Sequence, residues 1–350
     1  MAELNSQLFS LIDASKRLDP NGGVESGIAE LLTQTNELLV DMLWKEGNLP
    51  TGHRLTMRTS LPSGTWRKFN QGVASTKSTT VQVDEACAMY EQKSAIDKDL
   101  AMLNGNTAQF RLTENIAHMS AMNNDMATAL FYQDNSQPER FVGLSPRYNS
   151  LSAENGQNIL SAGGSQTDNT SVWLLGWGDA GLYGIYPKGS KAGLQHTPVK
   201  DGSGDGCSEY DDGTQTSATF RAYVDRYQWK CGIAVKNWQY GVRIANIDVG
   251  DLAAITGTQA STAATELIKL MSRSIDRIPG TMGVKLAFYM NRTVFSMLKI
   301  QALGKSNNAL SIEDALLQFG DTIVKSKQLN FLGIPIRTCD AILNTEAVVS

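Results

Sequence analysis

Residues 47–83 read GNLPTGHRLTMRTSLPSGTWRKFNQGVASTKSTTVQV, and the architecture turns on this stretch. It carries Arg54, Arg58, Arg67, Lys68 and Lys77 and not one Asp or Glu. RLTMRTS alternates in the manner of a strand, LPSG is a turn signal, and TWRKF follows it. Alternating runs on either side of such a turn predict a long hairpin. Few of its side chains could build a core of their own, so the hairpin is expected to be covered by something outside itself. Three readings stay open for its charge: contact with nucleic acid, docking on an acidic neighbour, or a solvated basic hairpin. Trp66 and Phe69 sit beside Arg67 and Lys68, and aromatic–basic clusters are enriched where interfaces are buried.

On the N-terminal side, Leu4, Leu8, Leu11, Ile12 and Leu18 recur at helical spacing until DPNGG stops them. Ile28, Leu31, Leu32, Leu38, Leu39, Met42 and Leu43 predict a second helix, ended by Gly47 and Asn48 with Pro50 beyond. On the other side, VQVDEACAMYEQ (81–92) reads as one return strand in which acidic residues reappear. Leu112, Ile116, Met119, Met122, Met126 and Leu130 then step by three or four, predicting a helix from about 107 to 133. At 1.5 Å per residue this is a rod of roughly 40 Å, well beyond the mean helix of about 11 or 12 residues. The acidic residues of 84–99, with Glu114 and Asp125 on that helix, would match the basic hairpin of another copy.

From about 140 to 256 the chain is strand-like. VWLLGWG, LYGIYP, ATFRAYVDRYQWKCGIAV and YGVRIANIDV carry the pattern, with a Gly/Asp-rich loop at 200–213. This part holds four of the six tryptophans, Trp173, Trp177, Trp229 and Trp238. Leu267, Leu270, Met271 and Ile275 predict a helix ending at IPG. VKLAFYMN is a buried strand, Asn291 caps a helix running to about Leu303, and FLGIPIRTCDAIL is a closing strand broken by Gly333 and Pro335.

Composition narrows the function. The 350 residues suffice for two or three globular units at about 150 residues each. Hydrophobic residues are 41% and charged residues 19%, the latter below the usual quarter or so. A surface poor in charge costs less to desolvate when neighbours cover it. The net charge of −4 disfavours a dedicated nucleic-acid binder. Cys87, Cys207, Cys231 and Cys339 are far apart and form no CxxC pair, so reduced thiols are expected. The N-terminus lacks the pattern of a signal peptide. No run of about 18 apolar residues exists to span a membrane.

Few motifs carry chemistry. GWGDAG (176–181) has the GxGxxG spacing, but LYGIYPKGS after it is strand and turn, whereas a dinucleotide site needs a helix there. In DGSGDGCSEYDD, Asp201, Ser203, Asp205, Gly206, Glu209 and Asp212 fall at positions of a calcium loop. Without flanking helices a solvated acidic hairpin tip is preferred, and calcium binding is left open. His53, His118 and His196 are scattered and define neither a zinc site nor a triad. GxSxG, Walker and HExxH motifs are missing, which lowers the expectation of an enzyme.

The order of elements (arm, basic hairpin, return strand, long helix, β-rich domain, final strand) resembles the Hong Kong 97 type capsid fold. In detail the chain is similar to the major capsid proteins of short-tailed, podovirus-like phages. The phrases that carry the likeness are TGHRLTMRTSLPSGTWRKFNQGV (51–73), LYGIYPKGSKAGL (182–194), QWKCGIAVKNWQYGVRIANID (228–248) and FLGIPIRTCDAIL (331–343). The resemblance implies an α+β fold in five parts: an N-terminal arm (1–49), an E-loop (50–82), a P-domain with its spine helix (83–149), a mostly A-domain segment (150–329) and a return to the P-domain (330–350).

It also implies a non-enzymatic subunit, without cofactor or metal, that assembles as pentamers and hexamers into an icosahedral shell around the phage genome. Implied partners are a scaffolding protein, separate because only about 50 residues precede the E-loop, a portal, an optional decoration protein, and packaged DNA held non-specifically. Assembly would occur in the host bacterial cytoplasm, without a membrane. The expected inter-subunit contacts are Arg54, Arg58, Trp66, Arg67, Lys68, Phe69 and Lys77. Some relatives cross-link Lys to Asn, and position alone assigns no such role to Lys68 or Lys77. The rivals are a secreted carbohydrate-binding β-rich protein, suggested by the tryptophans and the calcium-like loop, and a hydrolase with an unrecognised site.

Overall fold

The computed structural model describes residues 34, 36–102, 107–134, 136, 139–202, 204–211, 219–253, 258–281, 283–303, 310–319 and 322–350. Helix α1 (Leu38–Asp41) and strand β1 (Trp44–Glu46) lead into the ribbon β2 (Gly52–Ser60) and β3 (Thr79–Ala86). Then come β4 (Ala88–Asp97), α2 (Lys98–Met102) and the long α3 (Thr107–Tyr132). Strands β5 (Ile159–Ser161), β6 (Asn169–Trp177), β7 (Leu182–Tyr186), β8 (Leu194–Val199), β9 (Ser208–Asp211), β10 (Thr219–Val235) and β11 (Gly241–Asp248) follow. The chain closes with α4 (Val249–Ala253), α5 (Thr258–Asp276), β12 (Lys285–Met290), α6 (Arg292–Leu303), β13 (Leu310–Phe319), β14 (Thr322–Phe331) and β15 (Ile334–Thr338). Two compact units divide these elements. One includes Met89–Met126 and Lys191–Lys230, and the other Thr35–Ala88, Ala127–Ser190 and Cys231–Ser350.

In the larger unit β6 is the organising strand, antiparallel to β11 and β12, with β15 parallel to β12. Every residue of β6 is buried, which explains why VWLLGW is a continuous apolar run rather than an alternating one. Val172 and Leu174 point into a core shared with Leu267 and Met271 of α5 and Val294 and Leu298 of α6. Trp173 takes the other face, between Phe131 and Tyr148. There Arg243 lies over its ring and bonds Glu346 at 2.8 Å, Ser171 Oγ at 3.0 Å and the Tyr148 carbonyl at 2.8 Å. Tyr132 and Ser171 also donate to Glu346. Three residues on, Asn246 sits at a bulge with φ 57° and exchanges two hydrogen bonds with the backbone of Val349. Residues 346–349 are therefore held into the sheet by fully satisfied polar groups, the condition under which burying them is tolerable.

The smaller unit packs part of α3 on β10, to which β8 and β9 are antiparallel. Its apolar cluster is Ile96, Ala101, Phe110, Cys207 and Tyr223. Beside it the buried Asp225 accepts from Arg111 at 2.9 Å, Asn115 at 3.3 Å and His196 at 2.8 Å. Tyr227 stacks with His196 and with His118.

Several expectations need correction. The first N-terminal helix lies outside the described residues. Of the second, residues 28–33 and 35 lie outside the described residues, Gln34 is not helical and Asn36 pairs with Cys339, so only Leu38–Asp41 is helix before Met42 turns extended and Trp44–Glu46 pairs parallel with β7. Gly184 makes this possible, since a Cβ there would meet the Trp44 ring at 2.7 Å. The hairpin's return strand is Thr79–Ala86, not TWRKF, in register from Gly52↔Ala86 to Ser60↔Thr79. Run 81–92 is two strands broken at Cys87, whose N–H bonds the Thr51 carbonyl at 2.9 Å. FLGIPIRT is two strands joined by Leu332 and Gly333, both at positive φ, and β13 and β14 precede it unforeseen. The long helix, β6, β7, β10, β11, β12 and the Asn291 cap fall where the sequence puts them.

Candidate contact surface

The ribbon is pinned at its root. Asn48 accepts from the Arg54 N–H at 2.7 Å and donates to the Arg54 carbonyl at 2.9 Å. His53 Nδ1 accepts the Asn48 N–H at 3.2 Å, which leaves Nε2 to donate to the Tyr183 hydroxyl at 3.1 Å. Burial, reinforced by nearby Lys45, holds the His53 pKa below its ordinary value. Glu85 takes both terminal nitrogens of Arg147 at 2.6 Å each, a two-point geometry that fixes orientation as well as charge. Leu55 packs with Tyr183, Ile185 and Ala234.

Beyond Ser60 the situation reverses. Trp66 is 102% exposed and Phe69 97%, and Leu61 and Val73 are exposed too. The sharp reversal falls at Lys68–Gln71, with Asn70 at φ 64°, rather than at LPSG. Among the predicted contact cations, Arg54 is held by Asp84 at 2.6 and 2.7 Å across the ribbon. Arg67 reaches only the Gln71 carbonyl at 3.4 Å. Arg58, Lys68 and Lys77 are exposed and have no ion pair among the described residues. The structure thus brings six of the seven named residues, Arg58, Trp66, Arg67, Lys68, Phe69 and Lys77, to solvent on one ribbon and loop without an ion pair among the described residues, and pairs the seventh, the exposed Arg54, with Asp84.

The acidic partners expected from the sequence are mostly engaged within the chain. Asp84 binds Arg54, Glu85 binds Arg147, Glu91 binds Arg226 at 2.6 Å, and Asp125 accepts from Tyr90 at 2.5 Å. Charge matching between the hairpin and segment 84–99 is therefore weaker than the sequence reading supposed. The helix offers something else. Leu112, Ile116 and Met119 of the helical stripe are exposed on one face of α3, whereas Met122, Met126 and Leu130 are buried. No sequence signal separates the two halves of that stripe.

The remaining candidates resolve differently. After Gly181 comes β7, so GWGDAG is a turn between strands. Asp201 and Asp205 both bind Arg221, and Asp205 also takes Lys98 at 3.0 Å. Arg221 first and Lys98 next pull the Asp205 carboxyl well below the usual range. Ser203 and Asp212 lie outside the described residues, and among those described no three His, Cys, Asp or Glu converge as metal ligands. All four cysteines are free thiols, and burial pushes Cys87 up to about 11. Trp173 and Trp177 are buried, the latter donating to the Tyr289 hydroxyl at 2.9 Å, so neither can form a sugar platform. Among the described residues no helix is long and apolar enough to cross a membrane.

A chain that completes its own core but leaves large aromatics bare on a pinned ribbon is a subunit awaiting neighbours, and comparison with known proteins gives the class. Over 100% of its length it is similar to a chain of bacteriophage epsilon15, with 32% identity, a TM-score of 0.70 and 99% of that chain covered. A bacteriophage JBD30 capsid chain matches at 9% identity and a TM-score of 0.42, over 90% of this chain and 91% of that one. An encapsulin from Synechococcus elongatus matches at 12% identity and 0.46, over 71% and 100%. Comparison with proteins of curated function finds no match. The fold is of the Hong Kong 97 type, and the class is the shell-forming capsid subunit of a bacteriophage. Residues 19–350 match the family described as major capsid protein GP7, and the chain belongs to that family. Its place is the virion shell, and the carbohydrate-binding alternative falls away.

Proposed function

We propose that residues 50–82 are the E-loop of this capsid subunit, and that its far end is completed by an adjacent copy. The single observation that carries the reading is the full exposure of Trp66 and Phe69. Two aromatics of that size are worth several kcal/mol of burial when covered, and their own chain leaves them in water. The bare stripe Leu112, Ile116 and Met119 supports the same view of a chain finished by its neighbours. Residues 1–49 then serve as an N-terminal arm, 83–149 as the P-domain with α3 as spine, 150–329 as mostly A-domain, and 330–350 as the return to the P-domain.

In this reading the subunit does no catalysis. Many weak symmetric contacts, summed by multivalency, close pentamers and hexamers into an icosahedral shell. Assembly takes place in the host cytoplasm with a separate scaffolding protein and a portal, an optional decoration protein binds outside, and packaged DNA is contacted without sequence preference. The test is co-expression with the scaffold and electron microscopy. The Arg67→Glu/Lys68→Glu double variant is expected to stay soluble and fail to form particles. Normal particles from it would remove those two cations from the interface.

A further inference from the structure

At the root of the ribbon lies a cleft of about 270 Å³. Met57 and Val83 of the ribbon, with Val235 and Trp238, form its apolar wall, and Glu154 stands at its edge. The Glu85–Arg147 pair also lines it, but each of those charges already has the other. Glu154 is exposed and has no ion pair among the described residues. The cleft thus offers an apolar slot, an indole face and one unneutralised carboxylate.

Among the described residues the complementary set stands on the ribbon's far end. Trp66 and Phe69 are bare aromatics, and Arg67 and Lys68 are the cations between them. Trp66 and Phe69 are fully exposed, so a subunit's own ribbon end does not fill its own cleft. The occupant that carries both the rings and the cations is a second copy.

We propose that Trp66 of one subunit enters the cleft formed by Met57, Val83, Val235 and Trp238 of the next, with Lys68 paired to Glu154. This rests on the reading of residues 50–82 as a loop that docks on a neighbour, and adds where its end goes. Lys68 takes the carboxylate, and the Arg67 guanidinium is placed to lie against the Trp238 ring, an attraction available to any cation near an indole face. The contact joins two different patches of the same chain, so it is heterologous, head to tail. Such a contact generates a ring when its rotation closes, which is the geometry a capsomere needs. Pinning the root by the Glu85–Arg147 pair then has a purpose, because the same pair also lines the slot for the next subunit.

The test uses the full chain with its scaffold, counting particles by electron microscopy and sedimentation. Glu154→Lys and Lys68→Glu are each expected to lower particle yield about tenfold, the effect of one interfacial charge pair, and the double swap to restore most of it. Both sites are exposed, so the variants keep the subunit's melting midpoint. Val83→Phe, which fills the slot, is expected to act like Glu154→Lys. As a direct readout, Lys68→Cys combined with Glu154→Cys, which keeps Trp66, should give a ladder of covalent multimers on oxidation of the particles that form. If Trp66→Ala abolishes particles while Glu154→Lys, Val83→Phe and the cysteine pair show nothing, the loop docks elsewhere and the cleft assignment is overturned. If Trp66→Ala also assembles normally, the neighbour-docking reading falls with it.

Discussion

Arg243 and Lys68 carry the same charge into opposite surroundings. Arg243 is sealed in the sheet, with Glu346, Ser171 and the Tyr148 carbonyl filling its donors. Lys68 stands in water at the end of the ribbon between Arg67 and the bare Phe69. In the first region the chain supplies partners for the charge it buries, and in the second it leaves its cations and rings in water. Stability and assembly are thereby separated along the sequence, and substitutions in the two places should fail in different ways.

The largest effect is expected at Glu346. Glu346→Ala leaves Arg243 buried without its partner and should cost about 3–5 kcal/mol, read from denaturant unfolding of the isolated subunit. A loss below about 1 kcal/mol would mean that the C-terminal segment is not an anchor. Next comes Arg147→Ala, which strands the buried Glu85 at the ribbon root and should cost about 1–3 kcal/mol while raising amide exchange in β2 and β3. Stability unchanged, with exchange unchanged, would show that the root is held by the Asn48 contacts alone.

A smaller effect follows from His118. Burial holds its pKa below the ordinary value, with Glu114 opposing. The unfolded chain therefore takes the proton first as pH falls through about 6.5. Stability is full above that pH and declines as the pH drops toward the folded value. Melting midpoints between pH 7.5 and about 5 should fall, and His118→Gln should flatten the slope; an unaltered slope would assign the acid response to other groups. His53 acts with the same sign. The smallest change in stability belongs to Trp66→Ala/Phe69→Ala. Its subunit should unfold within about 0.5 kcal/mol of the original, although particles disappear. A clear loss of subunit stability would place the two rings against their own chain.

What the sequence made legible tracks the range of the forces involved. Periodicity is local, so α3 was readable to within a residue at each end, and the wholly apolar β6 betrayed a strand covered on both faces. The second N-terminal helix is only Leu38–Asp41 among the described residues, because Asn36 pairs with Cys339 on one side and Trp44–Glu46 with β7 on the other, both partners distant in sequence. The hairpin was visible, but its second strand was placed at TWRKF; the run read as a return strand at 81–92 overlaps the true partner, which begins in the β-branched TTVQV at Thr79 and ends at Ala86. In the contact surface, the aromatic–basic cluster was visible from composition alone. Glu154, the cleft, and the engagement of Glu91 by Arg226 were not, because each depends on residues brought together from far along the chain. Nor could any pattern show that Leu112, Ile116 and Met119 would be left bare while Met122, Met126 and Leu130 were covered.

Amide hydrogen exchange over residues 61–78, compared between dissociated subunits and assembled particles, bears most directly on the claim that a neighbour finishes the ribbon. Fast exchange in the free subunit and strong protection in the particle is the result this account expects. Equal exchange in both states, or protection already present in the free subunit, would contradict it.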